Sequence, residues 1–180
     1  MRKAMIMAVL CACLLLTGCG SRSGEKRFED FSADVRERET LSFTATVRAE
    51  YTDSTARFTL AFEGQGEDCA IRVLEPETLS GVTLRYKNGK TVIDCGSCVV
   101  DALALSDGVT PASALPLIAS AMGSGYLDSI STEGGETVFH IIPKDGVAVE
   151  LWLDEEGRPV HAELIIENRT TIFCDISDWR

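Results

Sequence analysis

The side chains best suited to chemistry downstream of residue 20 are Cys69, Cys95, Cys98 and Cys174 and the two histidines, His140 and His161. Cys95-Gly96-Ser97-Cys98 has the spacing used by thiol–disulfide catalysts and by one half of a zinc site. A redox catalyst lowers the pKa of its first thiol, commonly at a helix N-terminus. Here the pair brackets Gly96-Ser97 between two β-type runs, so the expectation is a tight turn with no helix dipole. Zinc would need two further ligands, and the chain has no second such pair and no nearby histidine. The readings left are a structural disulfide across the turn (Cys95 to Cys98) or two free thiols, with redox or metal work behind both. Cys69 is in phase with Ile71 and Val73, and Cys174 with Ile172 and Ile176, the setting of buried inert thiols. Neither histidine has a serine, cysteine or carboxylate at triad spacing; His161 stands near Glu163 on a polar strand face, an exposed pair. Gly123-Ser124-Gly125 follows a helical run, where a phosphate loop would precede one. No catalytic residue, metal ligand or cofactor is expected, and no enzyme.

Cys19 is different because of what precedes it. Met1-Arg2-Lys3 leads into an uncharged apolar run from Ala4 to Leu16, the layout of a secretory signal. The run is shorter than the roughly 20 residues that span a bilayer. Leu16-Thr17-Gly18-Cys19 resembles the lipobox of bacterial lipoproteins. The resemblance implies a diacylglyceryl group on the Cys19 thiol and cleavage before it. Residues 1–18 are then a lipoprotein signal peptide. Residues 19–24 are the lipidated cysteine with a small, polar, flexible tether, and 25–180 are one domain. The expected location is the extracytoplasmic face of the cell membrane, anchored by lipid.

Loss of residues 1–18 removes Arg2 and Lys3 and no acid, taking the formal net charge from −11 to −13. That balance excludes nucleic acid, whose phosphates call for Lys and Arg. It also excludes charge-driven adhesion to an anionic bilayer, so the lipid must do the anchoring. The remaining length suits one domain with a real core.

The elements follow from periodicity. Phe28, Phe31 and Val35 make the narrow apolar stripe of an N-terminal helix. Leu41, Phe43, Ala45, Val47, Ala49 and Tyr51 alternate with polar residues, as do Ala56, Phe58, Leu60 and Phe62, then Cys69, Ile71 and Val73. Pro76 interrupts, and Val82, Leu84 and Tyr86 restart the pattern before Asn88-Gly89, a hairpin turn. Thr91–Cys95 and Cys98–Leu105 flank the cysteine turn. Thr110-Pro111 is an N-cap and first-turn proline for a helix carrying Leu115, Ile118 and Met122, with Gly123 as its stop. Five further strands lie between residues 126 and 176, with turns at Gly134-Gly135, Asp145-Gly146, Glu156-Gly157 and Asn168-Arg169. The fold class is α+β, mainly antiparallel β. About eleven meandering strands form one sheet, large enough that it must curl, with the central helix on its concave apolar face.

That order is similar to the LolA/LolB-type lipoprotein carrier fold. The likeness is clearest in the run Ile71 to Lys90, which holds strand, Pro76, Leu79, strand and turn. Pro111-Ala112-Ser113-Ala114-Leu115-Pro116-Leu117 matches the start of the family's central helix, and Gly157-Arg158-Pro159 a turn before the penultimate strand. Within the group the chain looks most like lipid-anchored members of clostridia-like Gram-positive bacteria, GerS-type proteins among them. The resemblance implies a half-open barrel whose apolar cavity holds acyl chains. Strand phase and helix stripe single out Phe43, Val47, Phe58, Phe62, Val82, Leu84, Leu115, Ile118 and Met122 as candidate lining. The expected function is a membrane-anchored, non-catalytic binder or carrier of lipid or apolar molecules. The alternative is a GerS-like module that binds an envelope protein and supports germination or a cell-wall enzyme.

Overall fold

Every second residue of β1 (Leu41–Glu50) is buried, Leu41, Phe43, Ala45, Val47 and Ala49 on one face. Strict alternation of this kind demands an apolar layer on one side only. The structure is a computed structural model and describes residues 20–65, 68–87, 90–102, 109–144, 146–167 and 169–180. A helix, α1 (Gly20–Glu37), precedes β1. Then come β2 (Thr55–Gln65), β3 (Asp68–Glu75), β4 (Thr83–Lys87), β5 (Lys90–Asp94) and β6 (Val99–Ala102). After α2 (Pro111–Ser124) the chain forms β7 (Tyr126–Glu133), β8 (Glu136–Lys144), β9 (Val147–Leu153), β10 (Pro159–Ile166) and β11 (Arg169–Ser177).

All eleven strands belong to one antiparallel sheet in the order β6-β5-β4-β3-β2-β1-β11-β10-β9-β8-β7. Two meanders are thus joined where β11 pairs with β1, Val47 opposite Cys174. The join continues past β11, with Ser42 and Arg180 exchanging backbone hydrogen bonds of 3.1 and 2.9 Å. The free edges are β6 and β7, which the chain connects through α2.

One helix touches both halves of this sheet, since α2 packs on β1, β2 and β3 and also on β8. In a flat sheet β3 and β8 would lie roughly 29 Å apart at ~4.8 Å per strand, well beyond the ~10–12 Å width of a helix. The sheet therefore curls around α2, as its size required. Ala114, Leu115, Ile118, Ala121 and Met122 are wholly buried. Thr110 caps the helix in a reciprocal capping box with Ser113, and Pro111 opens it.

Two boundaries differ from the expectation. Gly123 does not stop α2, which runs on to Ser124. Its carbonyl accepts from Ser32 Oγ and Arg36 Nη1, both at 2.9 Å, which ties α1 to the end of α2. Residues 20–24, expected as a flexible tether, form the first turns of α1. Glycine and serine disfavour helix by propensity, yet a Cβ on Gly24 would come within 2.7 Å of Ile130 Cδ1. Packing on β7 sets the helix there.

The stripe on α1 behaves as expected. Phe28 and Val35 are buried, and Phe28 meets Phe139 edge-on at 5.1 Å. Phe31 stacks on Trp179, which leans on Phe43, itself stacked on Phe62. Gln65 Nε2 donates to the carbonyls of Arg36 and Arg38 and closes the C-terminal end of α1. Leu103–Leu105, the Asn88-Gly89 turn, Gly66, Asp145 and Asn168 lie outside the described residues, as do Cys19 and everything before it. Among the described residues no helix is long and apolar enough to cross a membrane.

Candidate functional site

The concave face holds all nine candidate lining residues, and it brings them together as a core. Phe43, Val47, Phe62, Leu84, Leu115, Ile118 and Met122 are buried and belong to one continuous cluster. They do not line an open cavity as expected; they fill the space between sheet and α2. The physical reason is size. Phe43 and Phe62 stack with ring centroids 4.8 Å apart beneath a helix that is apolar on most of its circumference. Phe58 and Val82 differ: both are half-buried at the edge of this cluster.

Tyr86 and Ile93 share that position, and strand phase alone would have found them. In the ladder Leu84 stands opposite Ile93 and Ile71, and Tyr86 opposite Cys69. They continue the apolar face past the strands on which α2 chiefly packs. The Tyr86 hydroxyl is buried without a hydrogen-bond partner among the described residues. Burial pushes its pKa up, and the Cys69 thiol beside it adds to the shift. A neutral phenol in an apolar setting, with an unused donor, is the kind of polar anchor a binding recess carries.

The thiols sort into two kinds. Burial pushes Cys69 up to about 11, helped by the Asp68 charge, and Cys174 up to about 12, helped by Asp175. Both are inert at neutral pH. Cys95 and Cys98 flank the expected turn, with the Cys95 N–H donating to the Cys98 carbonyl at 2.9 Å. The Gly96 N–H donates to Asp94 Oδ1, and Gly96 adopts φ +78, where glycine is at ease. Both cysteines are exposed, and their thiols are free in the structure. Their backbones lie at neighbouring-strand spacing, ~5 Å, inside the ~4.4–6.8 Å Cα range of a disulfide. Outside the cytoplasm, intact mass under non-reducing conditions is therefore expected to fall by two hydrogens, with both thiols protected from alkylation. Ready alkylation of both without reductant would oppose it.

On the convex face the histidines meet carboxylates. His140 Nδ1 lies 3.1 Å from Glu150 Oε1. His161 lies 2.8 Å from Asp175 Oδ1 and 3.4 Å from Glu163 Oε1, with Trp152 edge-on at 5.0 Å. The expected His161–Glu163 pair is present, and Asp175 joins it from β11, a contact only the fold could reveal. These rings face acceptors and no nucleophile among their hydrogen-bond partners. Among the described residues no group of three His, Cys, Asp or Glu side chains could hold a metal ion.

These features define an open antiparallel sheet curled on a buried helix, with half-buried apolar residues beyond the strands on which that helix chiefly packs. No family model matches the sequence, and no curated protein matches it. Among solved structures the chain is similar to a putative outer membrane lipoprotein-sorting protein domain from Vibrio parahaemolyticus. That alignment has 14% identity over 87% of this chain and 92% of the other, at a TM-score of 0.48. A LolA superfamily protein from Nitrosomonas europaea aligns at 12% identity over 87% and 92%, TM-score 0.45. A structure of the CwlD amidase in complex with the GerS lipoprotein, from Clostridioides difficile, aligns at 17% identity over 87% and 94%, TM-score 0.43.

Proposed function

We propose that the protein is a non-catalytic, lipid-anchored protein of the extracytoplasmic membrane face that binds an apolar chain at the open end of its concave sheet. Cys19 carries the anchor. The observation that supports binding is the half-buried set Val82, Tyr86 and Ile93, in phase with the core but beyond the strands that α2 chiefly covers. Ligand sites are concave, mostly apolar and sparsely polar, and Tyr86 Oη offers the one unpaired buried donor of the set. An acyl chain entering there would extend the existing core instead of displacing it.

The test uses the chain from Ser21 onward. Native mass spectrometry is expected to find co-purified lipid, and the emptied protein is expected to take up a fluorescent fatty acid. Val82→Trp, which fills the recess, should weaken uptake roughly tenfold or more, the scale of one lost buried contact. If the protein emerges empty and takes up no fatty acid, the ligand reading fails. A second reading, a module that holds another envelope protein, is favoured by a different feature, the groove beside β7.

A further inference from the structure

A cavity of about 880 Å³ runs along β7, between that strand and the first turns of α1. One wall is the strand itself, Tyr126 to Thr132, and the other is Glu25, Phe28 and Glu29. Among the described residues β7 pairs only with β8, and no described strand lies beside its outer backbone groups. An edge strand of this length is a template for a further strand. Tyr126 stands 70% exposed at its start, while Leu127 and Ile130 are half-buried on the helix side.

Charge selects the occupant. The charged residues lining the groove are Glu25, Glu29 and Asp128, all acidic, in a chain of net charge −11. A second copy of this chain would set those carboxylates against their equals, which is unfavourable across a strand pair. The same features attract an extended segment bearing Lys or Arg. From the groove and its charges we infer that β7 is a docking edge for a cationic, extended segment of another envelope protein, added as a twelfth strand under α1.

The anchor fits this placement. α1 starts at Gly20, the residue after Cys19, and Glu25 to Glu29 lie roughly 8–14 Å along the helix from Gly20 at ~1.5 Å per residue. A membrane-near partner is within reach. The inference deepens the partner-binding reading, and its failure leaves the apolar-chain reading untouched.

Full-length protein in phosphatidylcholine nanodiscs would be titrated with a fluorescent peptide alternating lysine and valine over the length of β7. Binding is expected, together with slowed amide exchange in Tyr126–Glu133. A glutamate–valine peptide should not bind. Glu25→Lys with Glu29→Lys, two exposed positions, should weaken binding roughly tenfold or more and lower its salt dependence. A lysine peptide interrupted by prolines keeps its charge but cannot form the ladder, and should bind at least roughly tenfold more weakly. Equal binding of the proline peptide, unchanged exchange in β7, or indifference to the two Glu→Lys changes would each overturn the inference.

Discussion

Cys19→Ala is expected to abolish incorporation of a labelled fatty acid and to strand the chain as uncleaved precursor or release it from the membrane. The expectation is all-or-none, because the modified atom is the Cys19 thiol sulfur and alanine has none. Cys11 and Cys13 offer no substitute, since both lie inside the apolar run and not after Leu16-Thr17-Gly18. Acyl anchoring contributes ~0.8 kcal/mol per buried CH₂, while a domain of net charge −13 without residues 1–18 is repelled by anionic lipid. Membrane and soluble fractions compared by immunoblot, alongside the label, settle it; label that survives the substitution would refute the anchor. α1 begins at Gly20, so a lipid on Cys19 would precede that helix by one residue in the sequence.

The second large effect is on stability, and it separates core from recess. Ile118→Ala is expected to cost about 2–5 kcal/mol, the range for emptying a buried aliphatic site. Ile118 is wholly buried in α2, the element that holds both halves of the sheet. The cavity would open between α2 and the sheet, whose two halves are tied by the β1–β11 join. Against a typical domain stability of about 5–15 kcal/mol, that loss is visible as a large drop in urea midpoint. Val82→Ala, at a half-buried position, is expected to cost under about 1.5 kcal/mol, because less apolar surface leaves its packed setting. Equal costs at the two positions would mean that Val82 is core and that no recess adjoins it.

Local pattern was enough for much of this. Alternation in Leu41–Glu50 dictated a one-faced strand because side chains on a pleated strand change sides at every residue. Thr110-Pro111 announced α2 because an N-cap acceptor and a residue lacking N–H both suit a helix start. Phe28, Phe31 and Val35 marked the buried stripe of α1 for the same geometric reason. The eleven strands and the antiparallel class were legible from short runs separated by turn residues.

What the sequence could not decide are the contacts between residues far apart in it. Phase places Phe43, Phe62 and Met122 on the concave face, but whether that face is filled depends on how α2 lies across strands from both meanders. Gly20 to Gly24 read as a tether because propensity is a local quantity; Ile130, more than a hundred residues away, holds the turn helical. Gly123 read as a stop until Ser32 and Arg36 supplied its carbonyl with donors. Asp175 reaches His161 only because β11 pairs with β10. The acidic groove along β7 exists because the strand order leaves that edge unpaired and α1 roofs it. Each of these is set by strand order and helix placement, which emerge from burial of the whole apolar face at once and so have no signature in any one stretch of chain.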